Sequence, residues 1–133
     1  MKDFAFTCEL KTRDYECDVQ GVINNANYQH YFEVVRHEFI QSVGTSFGEW
    51  HDAGIDVMVS KITIQYKNAL HGGEEILCGL NVKRVGARYV FDQQIFRKSD
   101  MTLCAKGEVH CVCVVNGVLT RGDEIANLFN QYL

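Results

Sequence analysis

At 133 residues, 47% hydrophobic and 23% charged, the chain has the length and composition of one globular domain with a real core. A net charge of −4 excludes wholesale nucleic-acid binding and leaves any phosphate-bearing ligand to a local basic patch. No apolar run is long enough for a membrane span, and the start MKDFAFTCEL lacks a signal-peptide core, so the expected location is the cytoplasm.

Residues 2–12 alternate. Phe4, Phe6, Cys8 and Leu10 face one way and Asp3, Thr7, Glu9 and Lys11 the other, which predicts a half-buried strand. A polar loop carrying Asp14, Glu16 and Asp18 follows. Asn24 and Asn25 form a helix N-cap region, because Asn side chains accept from free helical N–H groups. Beyond them Tyr28, Phe32, Val35, Phe39 and Val43 recur at helical spacing, and Tyr31, Val34 and Ile40 widen the stripe. A helix from Asn25 to Val43 spans about 28 Å at 1.5 Å per residue. So wide a stripe predicts that the rest of the chain wraps it. Gly44 stands where a C′ residue would. Thr45 to Ala53 reads as a short helical turn that Gly54 ends.

From Ile55 to Lys67 the apolar phase changes, from Ile55, Val57 and Val59 to Ile62, Ile64 and Tyr66. A bulge near Ser60 or Lys61 accounts for that. His71-Gly72-Gly73 is a turn. Ile76, Cys78, Leu80 and Val82 alternate until Gly86, Tyr89, Phe91 and Ile95 form the next inward face, and Ser99-Asp100 turns the chain again. The run from Met101 to Val115 is the longest alternation. Asn116-Gly117 makes a turn, and Asp123 is placed to cap a last helix with Ile125, Leu128 and Phe129 inward. Strands that follow one buried helix through short turns exclude a parallel α/β sheet. The expected fold class is α+β: one domain over residues 1–133, with a curved antiparallel five-stranded sheet around a long central helix. The cysteines at 8, 17, 78, 104, 111 and 113 form no CxxC pair and fall mostly at inward strand positions, so neither a disulfide framework nor a structural zinc site is expected.

Asp18 lies seven residues before Asn25, at the mouth of the wrapped helix. A carboxylate beside helix-start N–H groups is the candidate for chemistry, since those groups and the helix dipole favour a developing anion. Tyr15 either lines that site or packs. Ser60, near the bulge, is either a site residue or a polar edge residue. Cys17 lacks a neighbouring base in the loop to lower its pKa, which argues against a thiol nucleophile. His30, Glu33 and His37 share one helical face at metal-compatible spacing, and are better read as a polar stripe meeting a second subunit; no metal is expected.

At Tyr15-Glu16-Cys17-Asp18-Val19-Gln20-Gly21-Val22, Asn24-Asn25-Ala26-Asn27-Tyr28, Tyr31-Phe32-Glu33 and Arg36, the chain resembles the hotdog-fold acyl-CoA thioesterases of the 4-hydroxybenzoyl-CoA thioesterase family. The likeness continues through Ile62-x-Ile64-x-Tyr66, Gly73-Glu74-Glu75-Ile76, Asn116-Gly117 and Thr120-Arg121. It implies a hotdog fold and hydrolysis of acyl-CoA thioesters, with Asp18 as base or nucleophile and the helix-start amide near Asn25 polarising the carbonyl. It also implies a homodimer or homotetramer with the acyl site between subunits, and coenzyme A as part of the substrate rather than a cofactor. Asn24 and Tyr28 fall with the substrate-binding residues at the helix mouth. Val22 stands where many members carry histidine and Asn25 where one bacterial branch does, and Ala69 and Gly122 stand where members carry proline.

A thioester needs little acid help, because a thiol of pKa about 8.5 leaves readily as thiolate. Among the late basic residues, Arg84 and Arg88 flank Gly86 and are candidates for the nucleotide phosphates. Glu33 is the second-choice acid. Phe47, Trp50 and Met58 are candidates for an acyl pocket or for the core. The same letters also fit an acyl-carrier-protein thioesterase, a non-catalytic acyl-CoA-binding protein or, through His30, a hydratase.

Overall fold

A computed structural model describes residues 3–132, so Lys2 of the first predicted strand lies outside the described residues. Strand β1 runs Phe6–Lys11, and a single 3-10 turn at Asp14–Glu16 leads toward helix α1, Asn25–Ser42. A short helix α2, Phe47–Asp52, follows. Then come β2 (Ile55–Tyr66), β3 (Glu75–Val85), β4 (Arg88–Arg97) and β5 (Thr102–Val115). A two-residue strand β6, Val118–Leu119, and a last helix α3, Ala126–Phe129, complete the order. All ladders are antiparallel, in the spatial order β1-β3-β4-β5-β2, with β6 folded back on β5. The edges of the sheet are therefore β1 and the much longer β2.

The helix forms where the stripe predicts. Asn24 caps it, and Tyr28, Phe32, Val35, Phe39 and Ile40 are buried against the concave sheet face. Burying such side chains is worth about 1.5–3 kcal/mol each. Gly107 of β5 permits the close approach, since a Cβ there would stand 2.6 Å from the Phe32 ring. Lower down, Phe39 stacks on Phe129 at 6.0 Å, and Phe91 and Tyr89 close the same cluster. A long helix held by a curled antiparallel sheet is the hotdog arrangement.

The phase change in β2 is a bulge, with the register shifting between Val59 and Lys61. Three details depart from expectation. Val34 is exposed and Arg36 is buried in its stead. The Asn116-Gly117 turn closes a small hairpin that adds β6 to the five expected strands. Asp123 caps no helix: Gly122, in the left-handed region, precedes a 3-10 turn at Asp123–Ile125, and the Asp123 carboxylate accepts from Arg84 instead. No helix of the described residues is long and apolar enough to cross a membrane.

Candidate functional site at the mouth of the central helix

Between the 3-10 turn and α1 the chain forms a small ribbon. The Asn24 N–H donates to the Glu16 carbonyl at 2.9 Å, Cys17 bridges Ile23, and the Asp18 N–H donates to the Val22 carbonyl at 2.9 Å. Gly21 closes the tip with φ +79°, a conformation glycine adopts without strain. Alternation along an extended ribbon puts the side chains of Glu16, Asp18 and Asn24 on the face opposite buried Ile23. Asp18 and the helix mouth therefore belong to one element.

The Asp18 carboxylate is half-buried. Its Oδ1 accepts from the Gln20 N–H at 2.8 Å, and its other oxygen has no partner among the described residues. One oxygen is thus oriented by backbone while the second remains open to a water or a carbonyl carbon.

The helix start is equally specific. Asn24 Oδ1 takes the Ala26 N–H at 3.0 Å, and the Asn24 carbonyl takes the Asn27 N–H at 3.0 Å. The Asn25 N–H has no partner among the described residues. Of the expected cradle from Asn25 to Asn27, one amide remains as donor, at the positive end of an eighteen-residue helix.

Four contacts that sequence reasoning missed hold the helix mouth together, two of them between the ribbon and the helix. Tyr31 Oη donates to Glu16 Oε1 at 2.7 Å, and the Arg13 N–H donates to the same oxygen at 2.7 Å. Asn27 Nδ2 donates to the Glu16 carbonyl at 2.9 Å, and Tyr66 Oη donates to the Asn25 carbonyl at 3.3 Å. Burial, and then the bond to Glu16, hold the Tyr31 phenol protonated far above its usual range. The i, i+4 spacing of Asn27 and Tyr31 was the readable signal, because it puts both on one side of the helix.

The other expected residues fall elsewhere. Tyr15 is 84% exposed, and its hydroxyl forms no hydrogen bond among the described residues. Tyr28 is buried behind the mouth, edge-on to Tyr31 and Tyr66, so it supports rather than lines. Ser60 is the bulge residue, and its hydroxyl donates to the His110 carbonyl at 3.2 Å. Arg84 and Arg88 stand at the opposite end of β3 and β4 from the ribbon, roughly 30 Å away at ~3.3 Å per residue. Arg84 is also engaged: it donates to Asp123 Oδ1 at 2.6 Å and to the Arg121 carbonyl at 2.7 Å. Two clefts run along α1, one lined by His30, Glu33, Val34, His37 and Glu38, the other shared with β2, and Asp18 lines neither.

The profile of the Thioesterase-like superfamily matches residues 12–125, from the ribbon to the last turns. The chain belongs to the thioesterase-like superfamily. Within it, the chain is 36% identical over 102 residues to the acyl-acyl carrier protein thioesterase ATL3, chloroplastic, of Arabidopsis thaliana, a match covering 74% of this chain and 54% of that protein. The chain thus spans about half the length of that relative. It is 30% identical over 113 residues to a putative esterase of Aquifex aeolicus, covering 84% of this chain and 87% of the relative. Among solved structures, a DHNA-CoA thioesterase from Staphylococcus aureus superposes with a TM-score of 0.80 at 25% identity, over 95% of this chain and 84% of the other. The superfamily profile takes in the ribbon, the capped helix and the β2 bulge described above.

Proposed function

We propose that this thioesterase-like chain hydrolyses acyl-CoA thioesters to the free acid and coenzyme A. The observation that carries the reading is the unpaired Asn25 N–H at the mouth of α1, on the same ribbon as a carboxylate with one free oxygen. A thioester carbonyl oxygen accepting from that amide becomes the oxyanion as the carbonyl carbon is attacked. Asp18 either removes a proton from the attacking water or attacks the carbon itself, giving an acyl-enzyme anhydride that water then opens. Collapse expels the thiolate, which needs no histidine to protonate it at a pKa of about 8.5. For the coenzyme phosphates, Arg13 and Lys67 are exposed cations at this end of the sheet that form no ion pair among the described residues.

We also infer that the active form is a homodimer or a tetramer built from dimers. β2 is a twelve-residue edge strand whose outer side pairs with no other strand among the described residues and which exposes Met58, Val59 and Tyr66. An edge this long is stable in water when another strand covers it, and a second β2 is the self-complementary choice.

The 36% identical plant relative is named for an acyl-carrier-protein substrate, which favours a carrier protein as the second reading. Thiol release from acyl-CoA and from acyl-carrier protein, compared at equal concentration, separates the two. Turnover of the CoA ester at least equal to that of the carrier ester supports the first. Tight binding of both without turnover refutes both and leaves a binding protein.

A further inference from the structure

Arg36 of α1 follows Phe32 by four residues and precedes Ile40 by four, so helical geometry turns it inward with the core. The residue is 7% exposed. One guanidinium nitrogen donates to Gln93 Oε1 at 3.0 Å, and Gln93 Nε2 donates in turn to the Phe32 carbonyl at 2.9 Å. Among the described residues Arg36 forms no ion pair. Burial lowers its proton affinity below the ordinary arginine value. Its remaining guanidinium nitrogens reach the cleft beside it, where an acceptor oxygen can complete them.

The guanidinium borders a cleft of about 270 Å³ between α1, α2 and β2. Phe47, Val57 and Val59 supply its apolar wall. The two acids on its rim each have an imidazole at hand: Glu33 lies 3.8 Å from His37, and Asp56 lies 2.6 Å from His51. Burial pushes the Cys111 thiol up to about 11, so at neutral pH it is no counter-ion. The cleft thus has one apolar wall, a rim carrying two carboxylates, of which Glu33 acts electrostatically on Arg36, and a guanidinium at its end.

We propose that this cleft is the acyl-chain subsite and that Arg36 reads an acceptor oxygen carried on the acyl chain. The proposal rests on the thioesterase reading and on β2 pairing. Antiparallel pairing centred on the Ser60–Lys61 bulge sets Ile55 and Asp56 of one copy against Gln65 and Tyr66 of the second. Tyr66 is bonded to the carbonyl of Asn25, so the helix mouth of the second copy opens onto the Arg36 cleft. Within one chain, by contrast, α1 separates Arg36 from Asn25 by about 17 Å. An acyl tail leaving the second copy's site runs along Val57, Val59 and Phe47 and meets the guanidinium. A hydroxyl and a carboxylate oxygen share that chemistry. The rim acids disfavour the charged one, so the hydroxyl is the expected preference.

The test compares octanoyl-CoA, 8-hydroxyoctanoyl-CoA and the CoA ester of octanedioic acid on wild type, Arg36→Met and Arg36→Lys. The expected result is an advantage in kcat/KM of about tenfold or more for an oxygenated ester, the usual worth of a hydrogen bond to a charged group. That advantage falls to about twofold or less in Arg36→Met while octanoyl-CoA turnover persists, and Arg36→Lys recovers part of it. Binding is followed separately in the Asp18→Asn background through Trp50, the only tryptophan, whose ring lies 5.7 Å from that of Phe47. This readout also stands if no ester is hydrolysed, an outcome that refutes the thioesterase reading alone. If neither oxygenated ester binds better than octanoyl-CoA, or if the preference survives Arg36→Met, the subsite is refuted. Should Arg36→Met fail to fold, Arg36→Lys with undiminished preference refutes it as well.

Discussion

Asn24 joins the stability of the helix to its chemistry, and two substitutions pull these apart. Asn24→Ala deletes the acceptor of the 3.0 Å bond from the Ala26 N–H. Loss of such a cap costs about 1 kcal/mol. Over 133 residues, at about 2.1 cal/mol/K each, the unfolding entropy is roughly 0.28 kcal/mol/K, so the melting temperature falls by about 4 °C. Asn24→Asp keeps the acceptor and leaves the melting temperature within about 1 °C of wild type, because Asn and Asp cap equally well. It also sets a negative charge beside the amide that receives the oxyanion. At an exposed position, in a dielectric near that of water, the repulsion is about 1 kcal/mol, or roughly a fivefold loss in kcat. Differential scanning calorimetry and thiol-release kinetics on the same preparations read both numbers. An unchanged melting temperature in Asn24→Ala, or an unchanged kcat in Asn24→Asp, refutes the account of the helix mouth.

Tyr31→Phe leaves the Glu16 carboxylate without its 2.7 Å phenol donor; the expected cost is about 1.5–3 kcal/mol by urea unfolding, with a lower kcat as the ribbon loosens. Val59→Lys places a charge on the β2 edge and is expected to give monomers by light scattering, with loss of turnover but an unchanged far-UV spectrum. The Asp123 carboxyl is held below its usual value by the hydrogen bond from Arg84. Its contribution is therefore present above about pH 4 and is lost as pH falls through the lowered folded value, so the gap in urea midpoint between wild type and Asp123→Asn should close on acidification. A gap that widens below pH 4 contradicts that assignment.

Much of this architecture is written locally in the chain. The helical period from Tyr28 to Phe39, the Asn24 cap and the phase change at Ser60 each have a nearby physical cause, and each appears where the letters put it. What was not legible depends on residues far apart in sequence. Asp123 looks like a cap until the fold brings Arg84 to it across 39 positions. That the sheet carries the Arg84 and Arg88 hairpin to the end away from Asp18 of the same chain is likewise set by strand pairing and not by neighbouring letters. The cradle of three amides shrank to one because Asn24 consumes two of them, which follows from cap geometry and could have been deduced. Arg36 was also readable: it sits four residues from Phe32 in the middle of the apolar stripe.

The most direct measurement is single-turnover and steady-state hydrolysis of a good acyl-CoA substrate by Asp18→Asn. The amide retains an oxygen to accept the Gln20 N–H, so the ribbon stays folded while the base or nucleophile is lost. A fall in kcat of about 10²–10⁴ at unchanged melting temperature is the predicted result. Turnover close to wild type would contradict it, and would reduce Asp18 to a turn residue.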